Sequence, residues 1–568
     1  MGARQARKHK YVVCSAWPYI NYVPHLGTII PLLSADVVAR FLRMRGHDVV
    51  FVSGSDEHGT PIEVEAVRQG VEPRELTDRN HELVVRLFKR WRLSLDSYLR
   101  TEHPIHKEFV RRFYERIYAN GYVFERDEEL PYCENCGRFL PDRFVEGTCP
   151  YCGYERARGD QCEACGRLLD PAKLVSPRCA ICGSRPVIKT TRHWFLDLTK
   201  LQERVEAYVR SNERFSEPVR AFSLRMLEEG LRPRSITRDT KWGIPAPFPG
   251  AEGKTIYCWF EAVLGYISAT IAYFKARGQP ERWEEFWKDP DARTVFFLGK
   301  DNIPFHTILL PALLLATEEG YTLPWDVVSN EFLLWEGDKF SKSRRVGIWI
   351  DEALELFPAD YWRYALVALR PETRDSNFTW KQFVEKVNSD LNDTIGNFVH
   401  RTLIFIKRYF NGRVPEPGQL EAEDEELLRF LKRAFEEITS ELEAFRLKSA
   451  LRIVVEVARE GNRLLNEREP WKLVKTDIER AGRALYIAAQ LVKALAIFSA
   501  PFMPDAADRL WGMLGMEGSV HEASWDEALE PLEAGHVIGE PEPLFKKIRE
   551  SPEELREALK RLRSKCSS

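Results

Sequence analysis

Four Cys-x-x-Cys pairs fall within a span of fifty residues: Cys133/Cys136, Cys149/Cys152, Cys162/Cys165 and Cys179/Cys182. Each is followed at once by glycine, at Gly137, Gly153, Gly166 and Gly183. The surrounding stretch, about 130–188, is rich in Cys, Gly and Pro and has few long apolar runs. Such a segment can hardly bury a core and is expected to fold around metal. Two thiolates in one tight turn share an ion, and the next glycine can take positive φ while backbone N–H groups point at sulfur. Eight thiolates make two four-cysteine tetrahedral sites, the closed geometry of structural zinc. Disulfides and an iron–sulfur cluster are the rival readings; spacing and ligand type favour zinc. A closed site keeps no open coordination position, so no catalytic role is assigned to it. Consecutive pairing and nested pairing both fit the spacing.

The rest of the chain must supply the cores. At 568 residues it is too long for one, and three or four domains are expected. Hydrophobic residues at 44% and charged residues at 30% are ordinary for a soluble protein. The formal net charge of −3 implies no nucleic-acid partner, so any RNA-binding surface must be local. The basic start, 1–10, is too short for a signal peptide, and Ala6 stands where a myristoylation signal wants Ser or Thr. The most apolar stretch, 484–503, carries Gln490 and Lys493 and reads as a buried helix rather than a membrane span. A cytoplasmic protein without membrane contact is expected.

Residues 11–16 and 49–54 read as buried strands around a helical stretch at 29–45, which suggests a parallel α/β unit. A helical run continues to about Gly121, and α/β texture returns at 255–260 and 294–298. After about 388 the pattern is almost wholly helical. Leu427, Leu431, Ala434, Phe435, Ile438, Leu442 and Phe445 share one face, and 411–418 reads as a loop. The fold class read here is α/β: a Rossmann-type, doubly wound catalytic domain split by a zinc-knuckle insertion, then an α-helical bundle. The expected boundaries are 1–122 and 236–330 for the two catalytic halves, 123–235 for the insertion and 331–388 for a stem-contact region. The bundle would span 389–545 and a charged, peripheral helix 546–568.

Two short motifs carry the chemistry. Pro24-His25-Leu26-Gly27-Thr28 lies in the turn after the first strand, and Lys339-Phe340-Ser341-Lys342-Ser343 follows about 310 residues later. Where a strand ends and a helix begins, α/β folds bind anionic groups. Gly27 leaves room for a base against the backbone, and a loop with two lysines can close over a triphosphate. Singly, the first is an ordinary turn and the second a solvated loop. Together they resemble the HIGH and KMSKS signatures of class I aminoacyl-tRNA synthetases.

The intervening sequence resembles the methionyl-tRNA synthetases, closest to their archaeal and eukaryotic branch, over about 10–504. The resemblance rests on Ala16-Trp17-Pro18-Tyr19, the run 43–47, Gly54-Ser55-Asp56-Glu57-His58-Gly59-Thr60-Pro61, Ile236-Thr237-Arg238-Asp239, Tyr257-Cys258-Trp259-Phe260-Glu261-Ala262, Gly299-Lys300-Asp301-Asn302 and Pro470-Trp471. The chain departs from the bacterial pattern at Thr28, Phe340, Val263 and Asn302.

The resemblance implies activation of L-methionine with ATP and Mg2+, then transfer to tRNA(Met) for initiation and elongation. It gives His25, Lys339 and Lys342 the catalytic contacts, and Pro24, Gly27, Thr28, Gly299, Asp301 and Ser341 further contacts to ATP. Asp56 would hold the ammonium group, and Arg238 would orient Asp56 or meet the carboxylate. Ala16, Trp17, Tyr19, Trp259, Ala262, Tyr266 and His306 would line the pocket, where aromatic faces suit a polarizable thioether. Asn397, Arg401 and Trp471 would read the anticodon, the tryptophan as an exposed stacking face. Bacterial relatives that lack the outer cysteine pairs still bind zinc through the middle two, which implies nested pairing and two Zn2+ sites. The expected state is a monomer, with a tRNA-binding helper supplied by a separate protein.

Read from the residues alone, three rivals remain. Another class I synthetase, for valine, isoleucine or leucine, usually carries a long editing insertion, and one for cysteine would place zinc in its pocket. A non-catalytic, zinc-dependent RNA-binding protein would have no need of His25, Asp56, Lys339 and Lys342. A nucleotidylyltransferase would leave the knuckles and the helical region unexplained.

Overall fold

The computed structural model describes residues 8–141, 144–159, 162, 164–165, 167, 169–341 and 346–565. The apolar run Lys10–Ser15 forms a strand (β1) that is buried from Tyr11 onward, as a strand covered on both faces requires. It pairs in parallel with Asp48–Ser55 (β2) on one side, Tyr11 facing Val49. Beyond β2 lies Ser97–Arg100 (β3), also parallel. On the other side β1 pairs with Arg293–Gly299 (β4), Tyr11 facing Arg293, and β4 pairs with Asp326–Asn330 (β5). The order β5-β4-β1-β2-β3 reverses direction between β1 and β4, and at such a switch point α/β sheets open a crevice for ligands. The five-stranded sheet is thus built from chain segments on both sides of the insertion.

The helical run read to Gly121 is broken. Helices Thr60–Gln69 and Pro73–Arg90 are followed by β3 and then by helix Pro104–Ala119. β3 has four residues and one buried side chain, too few to show a period of two. The insertion is carried on a long antiparallel ribbon, Val123–Cys133 with Val187–Leu196, paired from Val123↔Leu196 to Tyr132↔Val187. Most of the ribbon lies outside the stretch whose composition marked the knuckles, and its first strand, rich in Glu, Asp and Arg, carries little strand signal.

Helices Asn397–Tyr409, Ala422–Glu443, Leu447–Arg468, Ile478–Ser499 and Pro504–Met513 form the bundle. Leu427, Leu431, Ala434, Ile438 and Leu442 bury one face of the second of these. Phe445, read as part of that stripe, lies beyond the helix at φ +58° and packs its ring against Phe297 of β4 and against Trp325. Ile478–Ser499 is long and apolar enough to cross a membrane, but 89% of its apolar window is buried inside the fold. Gln490 and Lys493 are satisfied there: Lys493 donates to the Glu530 carbonyl at 2.9 Å, and Gln490 exchanges bonds with Leu532.

Bundle and sheet meet at Arg363, on helix Ala359–Ala368, with no exposed surface. Its guanidinium donates to Asp36 at 2.7 Å, to the Trp91 carbonyl at 3.1 Å, and to the carbonyls of Pro501 and Phe502 at 3.0 and 2.9 Å. Asp36 lies on helix Leu26–Met44, which connects β1 to β2, and also accepts from Arg40 and from the Ser94 backbone and hydroxyl. Burial alone would raise the Asp36 carboxyl, but Arg40, Arg363 and the Ser94 donors outweigh it and hold the group well below the usual range.

Breaking a buried pair from one side leaves an uncompensated charge, so Asp36→Asn should destabilise the fold by about 3–5 kcal/mol near neutrality. Because the folded carboxyl is depressed, its contribution is full above the unfolded value of about 4 and is lost as pH falls further. The gap in denaturation midpoint between wild type and Asp36→Asn should therefore close on acidification; a pH-independent gap would contradict the pairing.

Candidate functional site

His25 occupies the N-cap of helix Leu26–Met44 in extended conformation, and its Nδ1 accepts from the Thr28 N–H at 3.2 Å. The Thr28 hydroxyl lies 3.2 Å from His25 Nε2. The backbone here is tied to the segment that follows the lysine-rich motif. Leu26 N–H donates to the Ile348 carbonyl and Ile350 N–H to the Pro24 carbonyl, each at 3.0 Å. The described start of the motif lies in a hairpin. Leu333–Trp335 pairs with Asp338–Lys339, and Ser341 and Val346 exchange both backbone bonds.

Phe340 stacks on the His25 ring with centroids 4.5 Å apart and planes within 12°. Two glycines make that contact fit. A Cβ on Gly27 would approach the His25 ring at 3.1 Å, and one on Gly347 (φ +123°) would stand 2.2 Å from Phe340. Lys339 is exposed, its ammonium 5.8 Å from the Phe332 ring centre. Lys342 and Ser343 lie outside the described residues. Across the crevice β4 ends at Gly299, where a Cβ would crowd the exposed Asp301 carboxylate at 2.7 Å.

A second group of side chains lies at the ends of β1 and β2. The Trp17 indole is clasped between two glycines: a Cβ on Gly54 would meet it at 2.5 Å and one on Gly265 at 2.6 Å. Asp56 and Tyr19 form a parallel bridge, with Asp56 N–H to the Pro18 carbonyl and Ile20 N–H to the Asp56 carbonyl at 3.0 Å. The Tyr19 hydroxyl accepts from the Trp259 indole N–H and lies 3.2 Å from Cys258 Sγ. Trp259 packs edge-on against Phe305 at 4.1 Å. Ala16 and Ala262 are half-buried.

Tyr266 and His306 are 2.8 Å apart, and His306 Nδ1 lies 2.9 Å from the Asn302 carbonyl. Burial pushes His306 down to about 4, so it is neutral near pH 7. Its proton then sits on Nδ1, facing the carbonyl, and Nε2 accepts from the tyrosine. Asp56 is 3% exposed; burial, and next the Glu261 carboxylate, push its carboxyl well above the usual range. A cation brought to it is therefore worth more than one in water. Arg238 lies 3.7 Å over the Tyr257 ring and donates to the Thr237 carbonyl at 2.9 Å.

Sequence reasoning did not single out His58, Glu102 and Glu261. His58 is clamped between Glu261 at 2.6 Å and Glu102 at 2.8 Å, all three buried. Burial opposes a charge on His58, but the two carboxylates outweigh it and raise the imidazole to about 10. The imidazolium joins the Asp56 loop to helix Cys258–Ala262, which carries Trp259.

The bundle holds a third cluster. Asn397 donates to Asn462 and Arg401 to Asn466, each at 3.0 Å. The Arg401 guanidinium stands 5.1 Å over the Trp471 ring. Trp471 is half-buried, with Phe405 5.6 Å away, rather than the freely exposed indole expected. An open groove of about 570 Å³ runs beside Asn397, Asn462 and Asn466, walled by Arg459, Arg463 and Glu467. Asn462 and Asn466 are one helical turn apart on Leu447–Arg468, a pairing no sequence period reveals.

The cysteines gather in two sets, Cys133, Cys136, Cys179 and Cys182, and Cys149, Cys152, Cys162 and Cys165, each with all sulfurs within 4.8 Å of one another. Measured separations are 3.5 and 3.9 Å in the first set and 4.0 and 3.6 Å in the second. A tetrahedral zinc with Zn–S near 2.3 Å asks for about 3.8 Å. Cys136 N–H points at Cys133 Sγ and Tyr151 N–H at Cys149 Sγ, both at 3.4 Å. Gly137, Gly153 and Gly183 have φ of +62°, +75° and +74°; Gly166 lies outside the described residues. The sulfurs fit a tetrahedral soft-metal site in each set, and the grouping is the nested one.

Comparison with known proteins adds an independent line. The family described as "tRNA synthetases class I (M)" matches residues 11–403, and "Anticodon binding domain of methionyl tRNA ligase" matches 414–564. A protein of Aeropyrum pernix named "Methionine--tRNA ligase" is 57% identical over 542 residues, 95% of each chain. One of the same name from Pyrobaculum calidifontis is 56% identical over 561 residues, 98% of each. Among solved structures, Mycobacterium tuberculosis methionyl-tRNA synthetase in complex with methionyl-adenylate shares the fold. Its TM-score is 0.79 at 24% identity, over 94% of this chain and 99% of that one.

Replacing Cys149 and Cys152 with serine should release one equivalent of zinc and leave the other bound through Cys133, Cys136, Cys179 and Cys182. Metal analysis of the purified variant checks this; loss of both equivalents would show that the two sets do not bind independently.

Proposed function

The chain belongs to the methionyl-tRNA synthetase family of class I aminoacyl-tRNA synthetases, and from that premise we propose that it joins L-methionine to tRNA(Met) at the expense of ATP, for initiation and elongation. The observation that carries this is the meeting of two chemistries at one switch point. An anion-binding helix start, capped by His25 and braced by the lysine hairpin, lies near the crevice beside an aromatic pocket with one buried carboxylate.

In the first step a methionine carboxylate oxygen attacks the α-phosphorus of ATP, and the bond to the β-phosphate oxygen breaks. In the second a terminal ribose hydroxyl of the tRNA attacks the acyl carbon, and AMP leaves. Neither step needs a protein nucleophile; the side chains position groups and offset charge. We assign His25, Lys339 and Lys342 to the phosphates, and Pro24, Gly27, Thr28, Gly299, Asp301 and Ser341 to the rest of ATP. Asp56 takes the methionine ammonium, with Arg238 at the carboxylate end. Ala16, Trp17, Tyr19, Trp259, Ala262, Tyr266 and His306 enclose the side chain. Magnesium, arriving with ATP, offsets charge on the leaving pyrophosphate. Asn397, Arg401 and Trp471 take anticodon bases; the polar groove that Asn397 lines, and the Asn462 and Asn466 partners of Asn397 and Arg401, support this.

The metal of both cysteine sets is zinc, held in closed structural sites. Residues 1–122 and 236–330 act as the catalytic halves, 123–235 as the zinc insertion, 331–388 as the stem-contact region and 389–545 as the anticodon domain. We propose a monomer, working in the cytoplasm.

ATP–pyrophosphate exchange with each standard amino acid in turn tests the reading. Methionine alone should support exchange, and His25→Ala should slow it by on the order of 10²–10³. Exchange with a different amino acid would overturn the pocket; no exchange with any, from folded zinc-loaded protein, would favour an RNA-binding role.

A further inference from the structure

The C-terminal helix Pro552–Lys565 is charged, and its sequence reads as a peripheral element. It is docked instead against the hairpin turn at Glu336 and the later segment 347–352. Arg556 reaches Glu336 at 2.9 Å, at the turn between the hairpin strands. Arg563 sits at the other end: Nη2 donates to the Gly347 carbonyl at 2.6 Å, and Nε and Nη2 donate to Glu352 at 2.7 and 2.9 Å. The same guanidinium lies 5.2 Å over the Trp349 ring.

These contacts are one step from the nucleotide end of the site. Gly347 is the residue whose missing Cβ makes room for Phe340, and Phe340 stacks on His25. Trp349 forms a β-bridge with His25, and its neighbours Ile348 and Ile350 pair with Leu26 and Pro24. Gly347 lies at φ +123°, where the backbone has little steric restraint of its own, so its orientation has to be held from outside. A planar guanidinium can hold a carbonyl, a carboxylate and an indole face at once, and an ammonium cannot. The ion pair with Glu352 would be enough to dock the helix. The added bond to the Gly347 carbonyl makes sense as restraint on the peptide that seats the Phe340–His25 stack.

We propose that Arg563 is a positioning residue for adenylate formation, holding the Gly347 peptide and Trp349 so that the Phe340–His25 stack is presented to ATP. The proposal rests on the reading of His25 as a phosphate contact. It makes the far end of the chain part of the activating site without any contact to substrate.

The test is ATP–pyrophosphate exchange by the full chain, with the constants for ATP and methionine measured separately. Arg563→Ala should lower kcat/KM for ATP by on the order of tenfold, the scale of losing a hydrogen bond from a charged donor, and leave the KM for methionine unchanged. Arg563→Lys should recover only part of the loss. Arg556→Ala, which removes a docking ion pair and leaves Gly347 held, should stay near wild type. Wild-type ATP constants in Arg563→Ala would overturn the proposal. So would an equal loss in Arg556→Ala, or an equal rise in both KM values with a lowered melting midpoint, since either would mean docking alone. If His25→Ala retained exchange, the reading of His25 would fail first; if it lost exchange while Arg563→Ala did not, only the present inference would fail.

Discussion

One buried guanidinium decides how the two working ends of this molecule sit relative to each other. Arg363 donates to Asp36 on the helix that His25 caps, to the carbonyl of Trp91, and to the two carbonyls that join bundle helices Ile478–Ser499 and Pro504–Met513. A charge taken fully out of water is tolerated only when its donors are used, so displacing any of these acceptors costs stability. The bundle is thus fixed against the helix that His25 caps. Phe445, packing from beyond its helix onto Phe297 of the central sheet, fills space in the same junction.

The activating site is shaped as much by side chains that are missing as by those present. Gly54 and Gly265 hold Trp17 between them, Gly27 and Gly347 admit the Phe340–His25 stack, and Gly59, at φ +89°, yields to Cys258. Around these gaps stand charges set by burial. His58 is an imidazolium because two carboxylates face it, and His306 is neutral because no charged partner offsets its burial. Burial holds the Asp56 carboxyl well above the usual range, so a cation placed beside it would favour its charged form.

Much of this could be read from the chain before any coordinates. The knuckles announce themselves through spacing, and the strands at 11–16, 49–54 and 294–298 through their apolar runs. Short elements and long-range partners were not legible. β3, with one buried side chain, carries no period. His58 and Glu261 lie 203 residues apart, and nothing local in either motif says that they touch. Phe340 looked like a minor change of an apolar residue, yet its ring is what meets His25. The cysteine spacing admitted two pairings, and only the resemblance chose between them. Trp471 looked exposed because a helix start after proline is usually at the surface, while Phe405 packs beside it from the neighbouring helix. The charged C-terminal helix looked peripheral because its ion-pair partners, Glu336 and Glu352, lie more than two hundred residues earlier.

The central claim is that one chain activates methionine at the sheet and recognises its RNA at the bundle. It is tested most directly by charging two transcripts that differ in one anticodon base, with pyrophosphate exchange measured on the same enzyme. The account expects methionine to be transferred to the tRNA with the methionine anticodon and only poorly to the altered one, while exchange stays equal with either. Equal charging of both transcripts would contradict it, because Asn397, Arg401, Trp471 and the groove that Asn397 lines would then have no part in choosing the RNA.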